Sequence, residues 1–204
     1  MIHPNTKVEF ISREKGYGLV ATQFIPKGTI TWVQDELDQI FTKEQTANFN
    51  PITKLFLDKY CFTNNQGQQI LCWDNGKYVN HSFTPSCFST PYDFEIAIRD
   101  IYPGEELTDD YGYLNVEKPF LAIDEGTSRK MVYPNDILTY YKEWDLLIKV
   151  NVPNVLVTHQ PLKCLIPEAT WDEFVQAVKN PMLLKSIQDC YYDRELHLKK
   201  IVDF

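Results

Sequence analysis

The sequence predicts a mainly β first part followed by an α-helical C-terminal region. Up to Tyr113 the chain consists of short β-branched and aromatic runs broken by Gly, Pro and Asn turns. Beyond Pro119 apolar residues recur at helical spacing instead. A hydrophobic share of 44% and an aromatic share of 14% supply apolar surface for a packed core, so disorder is not expected. At 204 residues, one domain plus an appendage is the natural count.

Val8-Glu9-Phe10-Ile11 opens the β part, and Tyr17-Gly18-Leu19-Val20-Ala21 follows a glycine turn. Pro26-Lys27-Gly28 punctuates before Thr29 to Val33, which is β-branched and aromatic. Glu44 to Tyr60 is less regular, but Ile52 to Leu57, after Pro51, reads as a short helix. The turn cluster Asn64-Asn65-Gln66-Gly67 predicts a hairpin between Tyr60-Cys61-Phe62 and Ile70-Leu71-Cys72-Trp73. Phe94 to Ile98 alternates as a strand before the chain turns at Asp100 to Gly104.

In the second part Asn135-Asp136 caps a helix expected to run through Val150. Ile137, Tyr140, Tyr141, Trp144, Leu147 and Ile148 fall near its apolar period. Thr170 and Glu173 fit a capping box that opens a second helix, with Phe174, Val175 and Val178 on its apolar face. Asn180-Pro181 predicts the start of a third, with Leu184, Ile187, Cys190, Tyr191, Leu198 and Ile201 at its apolar positions. There is no internal repeat and no low-complexity tract.

Charge and cysteine usage narrow the function. A net charge of −8 argues against a direct nucleic-acid binder and favours basic peptides as partners. Five cysteines at irregular spacing, with no CxxC pair, point to reduced thiols rather than a disulfide framework or a structural zinc site. No apolar run approaches the roughly 20 residues that span a bilayer, so no membrane association is expected. Met1 to Asn5 shows no leader pattern. A cytoplasmic or nuclear location follows, with a secreted effector left open.

Three segments carry chemistry. Lys15-Gly16-Tyr17-Gly18 places two glycines around one aromatic, letting backbone approach a ligand without a Cβ in the way. It lacks the third glycine of a dinucleotide fingerprint, and by itself it is also a plain hairpin turn. Asn80-His81-Ser82 brings an amide that both donates and accepts beside an imidazole; its bland reading is an Asx-turn with a satisfied histidine. Glu105 to Tyr113 joins four acids to two tyrosines around Gly112. The acids alone read as a solvated turn. The tyrosines, at alternate positions of an extended segment, would point the same way and flank a narrow apolar slot. No HExxH pattern is present, and without GxSxG or a nucleophilic cysteine context a hydrolytic triad finds no support, though the acids of Glu105 to Asp110 alone could also suggest general acid-base work or a divalent metal.

The order of these pieces resembles the SET domain from Val8 to Tyr113. It runs from the KGYG turn through Tyr60-Cys61-Phe62 and Asn75 to Ser82 with Thr84-Pro85. It continues through Ile96 to Ile101, then Gly104-Glu105-Glu106-Leu107-Thr108 and Asp110-Tyr111-Gly112. The resemblance implies small β-sheets with a C-terminal pseudoknot, a SET domain over residues 6–113, and a helical region over 114–204 packing on it or completing it. It implies S-adenosylmethionine as cofactor. Lys15, Gly16, Tyr17, Gly18, Asn80, His81 and Tyr111 would hold it, with Phe120 added from the C-terminal piece. It implies Tyr111 as the catalytic tyrosine and Tyr60 and Tyr113 as walls of a lysine channel, with no metal. Lys77-Tyr78 replaces the family's usual Arg-Phe, Phe83 stands where zinc-bearing members carry cysteine, and Asp109 occupies a position often aromatic. No cysteine cluster follows Tyr111, so a zinc-binding post-SET segment is not expected.

The function so implied is methyl transfer to the lysine amine of a protein substrate, a histone or another basic protein. Lysine, with an unperturbed pKa of about 10.4, must lose its proton first, and burial beside a sulfonium favours that loss. A second reading is a catalytically inactive SET-like module that binds a protein partner. Substrate, methylation degree and oligomeric state are not legible.

Overall fold

The computed structural model describes residues 1–194. Leu198 and Ile201 of the expected third helix lie outside the described residues. The first part is a set of small sheets. Strands β1 (Thr6–Ser12) and β2 (Gly16–Ala21) form an antiparallel hairpin. The predicted strand after Pro26 is β3 (Ile30–Val33). Next come β4 (Gln39–Phe41), a one-turn helix α1 (Lys43–Ala47) and α2 (Pro51–Tyr60). The Asn50 side chain accepts from the Thr53 amide and Pro51 takes the first turn of α2, the chemistry expected of a helix start. The predicted hairpin is β5 (Cys61–Thr63) and β6 (Gln69–Leu71), closed by Gly67 at φ 76°.

Four further strands complete this part. They are β7 (Asn80–His81), β8 (Cys87–Ser89), β9 (Phe94–Ala97) and β10 (Glu106–Asp109). β10 lies between β2 and β7 in a four-stranded sheet, antiparallel to the first and parallel to the second. β3, β9 and β8 form a second sheet, and β4, β6 and β5 a third. A short ribbon follows, β11 (Phe120–Leu121) with β12 (Met131–Val132).

The helical region contains α3 (Asp136–Val155) and α4 (Glu168–Lys179). Three expectations here need correction. Asn135 precedes α3 without a side-chain cap bond, and the helix runs on to Val155 because Pro153 disturbs only its last turn. α4 starts at Glu168 behind Pro167, a turn before the expected capping box, and the box does not form. Among the described residues no third helix starts at Asn180: Pro181–Leu183 and Ile187–Cys190 are separate 3-10 turns, each closed by the side chain of the residue before it. Asn180 and Ser186 there bond the local backbone and cap turns rather than start a long helix.

One core joins the two parts. Phe88, Phe94 and Ile96 of the β3–β9–β8 sheet pack with Trp144, Ile148 and Val152 of α3 and Phe174 of α4. The other face of that sheet meets a second cluster containing Leu19, Cys87, Ala97, Ile101 and Leu107. Covered on both faces, β9 is buried at every residue, Glu95 included. Gln160 seals the helical region to the sheet edge, accepting from the Ile30 amide at 2.7 Å and donating to the Gly28 carbonyl at 2.8 Å. A Cβ at Gly28 would fall 2.5 Å from Cβ of Asn154, so glycine permits this approach. No helix among the described residues is long and apolar enough to cross a membrane.

Candidate active site

The two signature segments meet because β7 and β10 pair in parallel, Thr108 opposite Asn80 and Asp109 opposite His81. The Ser82 amide extends the ladder, donating to the Asp109 carbonyl at 2.9 Å. The glycine turn joins them through β2. Asn80 Nδ2 donates to the Tyr17 carbonyl at 3.1 Å and to Glu106 Oε1 at 2.7 Å. Lys15 Nζ holds the other Glu106 oxygen at 2.9 Å. Gly18 lies beneath this cluster, and a Cβ there would fall 2.4 Å from Glu106 Oε1 and 2.8 Å from Asn80 Nδ2. Gly16, at φ 76°, borders open space, and the Tyr17 ring is exposed. Both amide hydrogens of Asn80 are therefore used, while its carbonyl oxygen makes no hydrogen bond among the described residues.

His81 connects this group to Tyr111. Its Nδ1 accepts from the Tyr111 amide at 3.1 Å, which places the proton of the neutral ring on Nε2. Nε2 is buried without a hydrogen-bond partner among the described residues. Burial holds the imidazole pKa below its usual value, outweighing Asp110 and Glu125. The ring packs on Phe83 at 4.4 Å and Phe120 at 5.7 Å between centroids. The histidine is thus half satisfied, which neither the bland nor the functional reading of the segment specified.

Tyr111 and Tyr113 do not stand on an extended segment. Residues Tyr111–Tyr113 form a 3-10 turn, capped by Asp110 accepting from the Gly112 amide at 2.9 Å. At about three residues per turn, positions two apart face different ways, so the two phenols diverge. Tyr111 packs on His81 and Phe120, and its hydroxyl donates to the Val79 carbonyl at 2.5 Å. Burial pushes its pKa well up, with Asp109, Glu106 and Glu95 adding to the shift. Tyr113 belongs mostly to the core, against Phe88 and Trp144, and its oxygen accepts from the Ser89 amide at 3.0 Å.

A cavity of about 980 Å³ opens beside Tyr111. Tyr60, Cys72, Glu95, Asp109, Tyr111 and Phe120 are among its walls, and Tyr113 touches it as well. Tyr60, the last residue of α2, is held there by Phe56 at 4.8 Å and Tyr78 at 5.7 Å. Lys15 to Gly18, Asn80 and His81 do not line this cavity. The candidate residues therefore divide into two groups, the glycine turn with Asn80 and the tyrosine-walled cavity. Tyr111 stands between them: its amide bonds His81, next to Asn80 in the chain, and the residue lines the cavity.

The acidic segment also departs from a solvated turn. Glu105 is solvated, but Asp109 and Asp110 are buried. Asp110 is neutralised by Arg129, which pairs with it through both terminal nitrogens and also reaches Asp136 at 2.8 Å. Glu125 accepts from the Ser82 hydroxyl and the Phe83 amide at 2.9 and 2.8 Å. Sequence reasoning missed Glu95, Glu125 and Arg129. The last two lie in an irregular stretch with no periodic signal, and Glu95 reads locally as the polar face of a strand. No group of three or more His, Cys, Asp or Glu residues that could hold a metal occurs among the described residues.

Residues 16–112 match the SET domain family model. No curated protein matches the chain. Among solved structures, a Plasmodium falciparum protein described as a candidate histone methyltransferase matches at 17% identity and a TM-score of 0.39, over 54% of this chain and 95% of that one. The strand order, the meeting of the two signature segments and the family match agree: the chain carries a SET domain at residues 16–112.

Proposed function

We propose that the chain transfers a methyl group from S-adenosylmethionine to the side-chain amine of lysine in a protein substrate, a histone or another basic protein. SET-domain proteins are generally protein-lysine methyltransferases, and residues 16–112 carry that domain. The observation that carries the reading is Tyr111 between the two groups, bonded to His81 through its backbone and lining the tyrosine-walled cavity.

The residues present fit the cofactor. The open space at Gly16, the exposed Tyr17 ring, the free Asn80 carbonyl oxygen and the unpartnered Nε2 of His81 offer a surface, an acceptor and a donor. Lys15, Gly16, Tyr17, Gly18, Asn80, His81, Tyr111 and Phe120 would hold it. With its amide hydrogens taken, Asn80 would accept from the amine of an amino-acid-like group. When bound, S-adenosylmethionine supplies a methyl on a positively charged sulfur. The chain's own part is alignment and exclusion of water. Tyr60, Tyr111, Tyr113 and Phe120 wall a slot that keeps an alkyl-amine chain straight, and such positioning can lower a barrier by several kcal/mol. Tyr111 stays neutral, so its oxygen can orient an amine as an acceptor.

The test is incubation with labelled S-adenosylmethionine and a panel of basic proteins that includes core histones. Modified lysines are then mapped by mass spectrometry. Label on lysine of at least one protein supports the reading. No label on any, with S-adenosylhomocysteine also failing to bind in calorimetry, sinks it.

A further inference from the structure

One loop of the C-terminal part holds the first signature segment in place. The β7–β10 ladder ends at Ser82, whose amide donates to the Asp109 carbonyl at 2.9 Å. Phe83 lies one residue beyond, and its amide donates instead to Glu125 Oε2 at 2.8 Å. The Ser82 hydroxyl donates to the same oxygen at 2.9 Å. Glu125 stands in the loop between β11 and β12, the ribbon that also brings Phe120 against the His81 ring. That loop carries two cations, yet they are bound elsewhere, Arg129 to Asp110 and Asp136 and Lys130 to Asp124. Glu125 forms no salt bridge among the described residues. Its acceptor oxygen is given to two neutral donors next to His81 in the chain.

This contact reaches the site through Phe83. The Phe83 ring meets the His81 imidazole edge to face, with 4.4 Å between centroids and 87° between planes. The Arg129 guanidinium lies over the Phe83 ring at 4.5 Å. Phe120 crosses the imidazole plane at 85°. With Nδ1 accepting from the Tyr111 amide, these rings set the plane of the imidazole and the direction of its unpartnered Nε2–H. A shift of the Phe83 backbone would move one of those rings and turn the donor with it.

We infer that Glu125 is a positioning residue for the cofactor site: by holding Ser82 and Phe83 it sets the tilt of the His81 ring and the aim of its Nε2 donor. The inference rests on the methyl-transfer reading of the chain, in which His81 helps to hold the cofactor. Both donors go to one oxygen, and a carbonyl oxygen has two lone pairs. The role therefore asks for an acceptor at that point rather than for a charge. Glutamine supplies such an acceptor and alanine does not. Without it the Phe83 amide has no ladder partner, and the segment must be ordered at the moment a ligand binds, which weakens binding.

The test compares Glu125→Ala with Glu125→Gln in the full chain, by S-adenosylhomocysteine calorimetry and by NMR of labelled histidine rings. The chain has four histidines, and the signals lost in His81→Gln identify those of His81. Glu125→Ala should shift the His81 ring signals, leave those of the other histidines in place, and weaken S-adenosylhomocysteine binding about tenfold. Glu125→Gln should keep the wild-type ring signals and bind within about twofold of wild type. Unmoved His81 signals in Glu125→Ala would overturn the inference, and so would a glutamine variant as weak as the alanine one. Hydrogen exchange on the wild-type chain decides the matter if Glu125→Ala does not fold. The Phe83 amide should then exchange at least roughly a hundredfold more slowly than in an unfolded chain, and exchange at the unfolded rate overturns the contact. The two ideas fail separately. A wild-type chain that binds no S-adenosylhomocysteine sinks methyl transfer, while the His81 signals still report on Glu125. Wild-type binding with His81 signals indifferent to Glu125→Ala sinks the positioning role alone.

Discussion

At Tyr111 a single oxygen separates two roles. The hydroxyl donates to the Val79 carbonyl, while the ring packs on His81 and Phe120. Replacing it with phenylalanine keeps the packing and leaves one carbonyl short of a donor, at about 1 kcal/mol. Tyr111→Phe should therefore lower methyl transfer at least a hundredfold, with S-adenosylhomocysteine affinity within threefold of wild type and melting within a few degrees. Undiminished turnover would remove Tyr111 from the chemistry. Gly18 makes the opposite kind of prediction. A methyl group there meets Glu106, Asn80 and Ile11, each nearer than 3 Å. Gly18→Ala should displace the Asn80–Glu106–Lys15 cluster, costing roughly 1–3 kcal/mol by overpacking, and weaken S-adenosylhomocysteine binding about tenfold for the same reason. Unfolding in urea and calorimetry would check both.

Among the elements, the link between the Tyr111–Tyr113 turn and α3 depends on Arg129. Its guanidinium neutralises Asp110, which caps the Tyr111–Tyr113 turn, and Asp136 at the start of α3, and lies over Phe83 and Tyr140. Arg129→Ala leaves two buried carboxylates unpaired, so unfolding should cost about 3–5 kcal/mol less. An unchanged urea midpoint would show that the turn holds without the helix. The elements also show what local pattern can and cannot say. The β1–β2 hairpin, β3, α2 and the β5–β6 hairpin were legible because propensity, turn residues and burial agree there. The start of α4 and the 3-10 turns after Asn180 were not, because Thr170 and Asn180 carry capping chemistry that several local structures can use.

Over the whole molecule, buried ionisable groups set opposing pH trends. His3 is 3% exposed, and burial together with nearby His159 pushes its pKa down to about 4. Between pH 6.5 and 4 the unfolded chain binds a proton that the native state refuses, so stability falls as pH drops through this window. The full effect is about 3 kcal/mol, at 1.36 kcal/mol per pH unit. His3→Gln should flatten the stability curve in that window, measured by urea unfolding at several pH values, and an unaltered slope would refute the assignment. Asp109 works in the other sense. Its raised native pKa means stability declines as pH rises from the ordinary carboxylate range through that higher value.

The amino-acid order by itself determined the strand-and-turn rhythm of the first part, the helical second part and the signature segments around Asn80 and Tyr111. These are local patterns, written in residues close together along the chain. Tertiary structure alone decided that Glu95 and Asp109 are buried, that Tyr113 is mostly core, and that Arg129 serves Asp110 rather than solvent. Each of those outcomes turns on burial by a distant partner. α3 and α4 cover one face of β9, and a second cluster covers the other. A strand that looks half-exposed in its own sequence thereby becomes a fully buried one, with an acidic side chain inside it.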